Sequence, residues 1–368
     1  MNQRLPFRFI EPTFFAGLLD DPLLLLHARP LGKSLLFDCG QLHHLAKRVL
    51  KSISAIFISH GHMDHFMGVD TFIRHNHVSP KTVDIFGPPG IAVKMASKLA
   101  SYDWNLTEPY WCTFRVHEIA TERITTSLFR GAEGFLRRSE GEERRSDATI
   151  YRNAWLKVDA GLCDHKIPSL IFRTTERQSF AVDDGKIREL GLVNGDWLRL
   201  LKKRFHDGEF GEERLTVLQR NGDLIEEFSA ENAARLYESI RKEQSPASIG
   251  YVTDVGFSGE NLEKICALMA GVTLLVCECS FLAADKDKAR ASNHLCTSDF
   301  NCLIDQLRPR FAIPMHLSKM YIGRSQLLYE QLAAPPGVTI LRLPERLTPR
   351  PLLACEVPKL AMAKAELR

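Results

Sequence analysis

Four short apolar runs of this chain each end on an ionisable side chain, and that repetition limits the fold more than any other feature. His60 closes "AIFISH" (55–60), Asp254 closes "SIGYVTD" (248–254), Glu278 stands near the end of "TLLVCEC" (273–279) and His316 closes "FAIPMH" (311–316). Runs of this length and composition read as buried strands. A strand fixes its backbone while the following loop stays open, so residues at strand ends can share one cleft at a sheet edge. Further runs of the same kind, "SLLFDCG" (34–40), "VDIFGPPG" (83–90) and "SLIFRTT" (169–175), alternate with helical patterns such as "FMGVDTFIRHN", "GIAVKMASKLAS", "ENLEKICALMAG" and "TSDFNCLIDQLR". An α/β fold with a site at its strand ends is expected.

The residues after the second of these runs show what the site would hold. "HGHMDH" (60–65) crowds three histidines and an aspartate into six positions. Such groups bury badly together unless something positive binds them, and neutral imidazole with carboxylate is the ligand set of zinc and related divalent ions. His60 and His62 can point into one space, and Asp64 with His65 can serve a second centre beside it. One turn supplies too few ligands for two centres, so distant partners are required; His165, Asp254 and His316 are of the right types.

"HGHMDH" is the signature of the metallo-β-lactamase superfamily, and within it the chain resembles the ribonuclease Z family. The resemblance extends in order and spacing from about residue 34 to 330 through "DHKIPSLIFR", "YVTD", "CECSF", "NHLCTSDF" and "MHLSKMY". It implies an αββα four-layer sandwich carrying an inserted, protruding arm. It also implies two Zn2+ ions, with Mn2+ or Fe2+ as alternatives: one held by His60, His62 and His165, the other by Asp64, His65 and His316, with Asp254 bridging. Such pairs stand roughly 3.5–4 Å apart and serve in-line cleavage of phosphodiesters. Asp64 would double as the base orienting the attacking water, and Glu278 with His294 would supply the general acid for the leaving oxygen. The implied activity is that of an endoribonuclease trimming the 3′ end of precursor tRNA, acting as a homodimer.

Two departures from the family stand out. "FIEPTFFAGLLDDP" replaces a glycine-rich stretch near the N-terminus, and Cys279 and Ser280 replace the Ala-Thr that follows the glutamate. Residues 183–246 read as an insertion between two core strands of one domain spanning 1–368, and "KIRELGLVNGDWLRLLKK" within it resembles the family's tRNA-gripping arm. Trp197, Arg199, Lys202, Lys203 and Arg204 are its candidate RNA contacts, cations with aromatic rings interleaved. A small-molecule hydrolase acting on a phosphodiester, sulfate ester or lactone remains the competing reading, because fold and metal site alone do not select a reaction. It would have no use for the insertion.

Other features carry less. "GPPG" lacks the lysine and serine of a phosphate loop and reads as a strand-to-helix turn. His75 and His77 would face apart on a helix and read as surface residues. A formal net charge of +3 neither demands nor excludes nucleic acid. Nine cysteines without framework spacing suit reduced thiols. Asp20, Asp21 and Pro22 interrupt the N-terminal apolar runs before signal length. A cytoplasmic protein without a membrane segment is expected.

Overall fold

The computed structural model describes residues 5–348 apart from 208–209, 211–213 and 231. Within them the chain falls into two units, one built from the residues up to Glu176 and from Ala247 onward, the other from Arg177–Pro246. The stretch 183–246 picked out from the sequence lies wholly inside the second.

The first unit holds two large sheets. Eight strands run in chain order across one: β1 (Ile10–Phe14), β2 (Leu24–Ala28), β3 (Lys33–Phe37), β4 (Ile53–Phe57), β5 (Thr82–Gly87), β6 (Thr113–Ile119), β7 (Arg123–Arg130) and β8 (Arg137–Arg144), parallel from β3 to β6. The other contains β9 (Thr149–Arg152), β10 (Leu156–Asp164) and β11 (Pro168–Glu176), then β15 (Ser248–Val252), β16 (Leu274–Glu278), β17 (Phe311–Met315) and β18 (Thr339–Ile340), the last four mutually parallel. Between β11 and β15 the arm contributes its own small antiparallel sheet, β12 (Leu192–Val193), β13 (Leu215–Asn221) and β14 (Leu224–Ala230).

The layering follows from the period-2 alternation of strand side chains. In β4, Ala55 and Phe57 enter the core between the sheets while Ile56 enters an outer core under helices. In β16, Leu274 and Val276 face the other sheet while Leu275 and Cys277 meet the helices Gly259–Met269 and Thr297–Leu307. Strands covered on both faces must be apolar throughout, which is why these runs are continuous in sequence. Phe37, Phe57 and Phe86 stack at 4.8 and 4.9 Å between centroids at the middle of the inter-sheet core. Helices outside two face-to-face sheets make the expected αββα sandwich. Residues 130–152 contain the fully exposed edge strand β8 and the short β9.

Candidate metal centre

The parallel strands end on the same side of their sheets, and the ligand types gather there. His60 follows β4 by three residues, Asp254 follows β15 by two, Glu278 ends β16 and His316 follows β17 directly. His165 sits in the tight turn between β10 and β11, where Lys166 takes positive φ. Among the described residues seven non-glycine positions have positive φ, and five of them, Asp38, Lys166, Asp254, Asn293 and His316, are at this centre or adjacent to one of its residues. Left-handed backbone is uncommon outside glycine, and its concentration at one place marks a constrained functional site.

The donor atoms form three overlapping groups, each within 4.8 Å: His60, His62, His165 and Asp254; Asp64, His65 and His316; and Asp254, His294 and His316. Asp254 joins them. Its Oδ2 lies 3.5, 3.2 and 3.6 Å from Nε2 of His60, His65 and His165, and its Oδ1 lies 3.1 Å from Nε2 of His316. One carboxylate thus faces two imidazole sets. Asp64, more than a third exposed, places Oδ2 3.7 Å from Nε2 of both His65 and His316.

The orientation of the ring nitrogens fits cations. Nδ1 of His65 is 2.8 Å from Asp38 Oδ2, while its Nε2 is fully buried and stands 3.2 Å from Asp254 Oδ2. Nδ1 of His165 is 2.7 Å from the carbonyl oxygen of Asn293, so Nε2 again faces inward. Histidine ligands are ordinarily held this way, one nitrogen on a carboxylate or carbonyl and the other on the metal.

Electrostatics agree. Burial, then the charge of His65, push His60 down to about 2, so its imidazole is neutral and ready to ligate. Burial would also lower His65, but Asp254 and Asp38 outweigh it and raise the group well above its usual range. Burial raises Asp254, yet His316 and His65 reverse this and hold it far below the ordinary carboxylate range. The cluster therefore attracts positive charge strongly, which divalent cations would supply in place of protons.

Beside this cluster stands a carboxylate–imidazole pair. Glu278 is fully buried; Val255 N–H donates to its Oε1 at 2.7 Å, and Oε2 lies 2.9 Å from Nδ1 of His294. Burial opposes protonation of His294, but the charge and hydrogen bond of Glu278 prevail and raise it to about 9. Ser280 Oγ lies 2.8 Å from both Glu278 Oε2 and the carbonyl oxygen of His316. The serine at this departure from the family pattern thus ties this pair to His316. His294, His316 and Asp64 line a cavity of about 350 Å³ with Asp20, Asp21, Phe281 and Lys319, so the divergent N-terminal stretch forms part of its wall.

Comparisons with known proteins place the chain. A family model described as a β-lactamase superfamily domain matches residues 34–141. The ribonuclease Z of Deinococcus radiodurans is 30% identical over 292 residues, covering 78% of this chain and 83% of that protein. The chain belongs to the ribonuclease Z family. The ribonuclease Z of Shouchella clausii is 27% identical, with 83% of each chain covered. The short form of human tRNase Z shares the fold with a TM-score of 0.50 at 16% identity, covering 90% of this chain and 96% of that one. Membership in the ribonuclease Z family, together with the clustered ligand types, makes this chain a metal-dependent hydrolase.

The other sequence candidates fall on the arm, in helix Asp196–Asp207. Arg199, Lys202 and Lys203 are exposed and Arg204 is half-buried. Trp197 corrects the expectation of an aromatic stacking face. It is 5% exposed, packs with Leu201, Phe205 and Tyr237 in the arm's own core, and donates its Nε1–H to the Val193 carbonyl at 2.8 Å. Trp197, Leu201 and Phe205 are spaced by four, the apolar stripe of an amphipathic helix, with Arg199, Lys202 and Lys203 exposed away from it and Arg204, seven residues after Trp197, at its side. Trp197 reaches the surface only in the wall of a groove shared with Arg199, Leu200 and Lys203.

Asp38 was missed by sequence reasoning. It is fully buried and receives Ser59 N–H and Oγ–H, both at 2.7 Å, and Tyr251 O–H at 3.0 Å, besides His65. His75 and His77 stand outside the centre as expected, although His77 is half-buried against Trp111.

Proposed function

We propose that this protein is a dinuclear zinc endoribonuclease that cleaves the 3′ extension of precursor tRNA. The carrying observation is the Asp254 carboxylate, which lies 3.5 and 3.6 Å from His60 and His165 of one set and 3.2 and 3.1 Å from His65 and His316 of the other, in a chain of the ribonuclease Z family. His60, His62 and His165 would hold one ion and Asp64, His65 and His316 the other, with Asp254 shared; Mn2+ or Fe2+ would fit the same donors. When bound, such ions neutralise charge on a phosphoryl oxygen and acidify water.

The rest is the work of this chain's side chains. Asp64, half-exposed beside the cavity, orients the attacking water. Glu278 holds Nδ1 of His294, leaving its other nitrogen to deliver a proton to the departing 3′ oxygen. Buried Asp38 and Ser280, with half-buried Asn293, fix the imidazoles and the acid pair, so little reorganisation is needed on binding. Arg199, Lys202 and Lys203 on the arm would contact phosphates, with Arg204 beside them. Assembly as a homodimer belongs to the same reading and rests on the family resemblance.

Incubation of zinc-loaded protein with a 3′-extended precursor tRNA, beside bis(p-nitrophenyl) phosphate, tests this reading. Metal-dependent cut of the tRNA near the end of its acceptor stem is expected. Hydrolysis of the small ester alone would instead favour a small-molecule hydrolase.

A further inference from the structure

We infer that Lys94 is a positioning residue that holds an RNA phosphate adjacent to the scissile one; the inference rests on the proposed action on RNA. Strands β4 and β5 are parallel neighbours, and Ile58 N–H donates to the Phe86 carbonyl at 2.7 Å. The turn carrying His60 to His65 and the turn carrying residues 88–90 therefore leave one sheet edge side by side. The helix Ile91–Ala100 begins there and brings Lys94 back over the metal-ligand turn.

Gly61, between His60 and His62, is where it lands. A Cβ built on Gly61 would lie 2.6 Å from Cε and 2.8 Å from Cδ of Lys94. The lysine stem thus lies on the bare face of the glycine, in space that any other residue at 61 would fill. Its neighbour one turn on, Lys98, is paired with Asp70 and lies over the Phe66 ring. Lys94 is exposed, and among the described residues no carboxylate pairs with its ammonium. No acid stands in the first turn of this helix. A cation near a helix N-terminus is disfavoured by the helix dipole, so helix stability does not account for the residue.

The chemistry suits a phosphodiester oxygen. Lysine is a compact, movable positive charge that binds phosphate without demanding a planar partner. Fixed by its stem beside two metal ligands, Lys94 can meet a neighbouring phosphate of a substrate whose scissile phosphate is at the centre. A single small ester offers it nothing comparable.

The test compares Lys94→Ala, Lys94→Arg, Gly61→Ala and the Gly61→Ala/Lys94→Ala pair, each shown to carry the parent's metal content. On precursor tRNA, Lys94→Ala should raise KM about tenfold, the scale of one charge-assisted hydrogen bond, with a much smaller change in kcat. It should also lower the slope of log(kcat/KM) against log salt by about one. Lys94→Arg should recover most of the loss, and bis(p-nitrophenyl) phosphate should be affected several-fold less. Gly61→Ala should displace the stem and raise KM by itself, yet add little to Lys94→Ala, because the colliding partner is then gone. Equal losses on both substrates, an unchanged salt slope, or additivity of the two substitutions would overturn the assignment. If the parent cleaves tRNA and Lys94→Ala cleaves it equally well, this inference alone falls. If the parent never cleaves RNA, the proposed function falls and takes it along.

Discussion

The Asp38 carboxylate lies 2.8 Å from Nδ1 of His65, in a pocket closed to solvent, and leaves Nε2 of that ring 3.2 Å from Asp254 Oδ2. Asp38 also adopts positive φ and anchors Ser59 and Tyr251, so the ring's direction is set by groups from three strand ends. Asp38→Asn should therefore weaken metal binding about 10- to 100-fold, the usual cost of losing such a partner. Competition with a chelator of known affinity measures it; unchanged affinity would show that Asp38 only packs.

Asp38 also shows how the sequence could be read and where reading stopped. It directly follows the apolar residues of "SLLFDCG", so the strand-end pattern of His60 and Asp254 extends to it as well. A residue that acts through a ligand has no ligand-type spacing of its own, so the ligand pattern does not point to it. The strands themselves were legible, since two-sided burial forces continuous apolar runs. For Trp197 the interleaving with cations suggests exposure, but its spacing of four with Leu201 and Phe205 places it inside.

Because Asp254 addresses both imidazole sets, Asp254→Ala should lower the occupancy of both ions together. Elemental analysis of protein purified without chelator checks this against a parent expected to hold two per chain. Loss of one ion with full retention of the other would show that the bridge is misassigned.

His294 gives a pH signature. In the proposed reaction its proton goes to the leaving oxygen, and Glu278 raises its proton affinity, to about 9 with no cation bound. Bound cations repel the imidazolium, so kcat on RNA should fall as pH rises through a value at or below about 9. His294→Ala should abolish that limb and cost on the order of 10²- to 10⁴-fold, with a smaller loss when p-nitrophenolate departs unprotonated.

The same group affects stability in chelated protein. A pKa raised above the ordinary 6.5 contributes stability that is complete below that pH and is lost as pH rises toward about 9. Denaturant midpoints of parent and His294→Ala should therefore differ more at pH 6 than above pH 9; the reverse order would contradict the Glu278 pairing.

The arm can be removed cleanly. Glu176 N–H donates to the Ala247 carbonyl at 3.0 Å, so the two ends of the insertion already meet as β11 and β15 pair. Replacing residues 177–246 with a short glycine-serine linker should reduce RNA cleavage strongly and hydrolysis of bis(p-nitrophenyl) phosphate far less, since remote binding energy is available only to the larger substrate. RNA cleavage by the full chain at subsaturating substrate should fall steeply with salt. Equal tRNA processing by the shortened, metal-loaded protein would remove the arm from substrate binding.

The most direct measurement is the chemistry of the new RNA ends. Water attacking in line at phosphorus, with His294 protonating the departing oxygen, must leave a 3′-hydroxyl on the tRNA and a 5′-phosphate on the released trailer. End analysis of products from a 3′-extended precursor tRNA, by ligation and by mass, should find those two ends, formed only with divalent metal and suppressed in His294→Ala. A 2′,3′-cyclic phosphate on the tRNA, or cleavage that persists undiminished in chelator, would contradict the account.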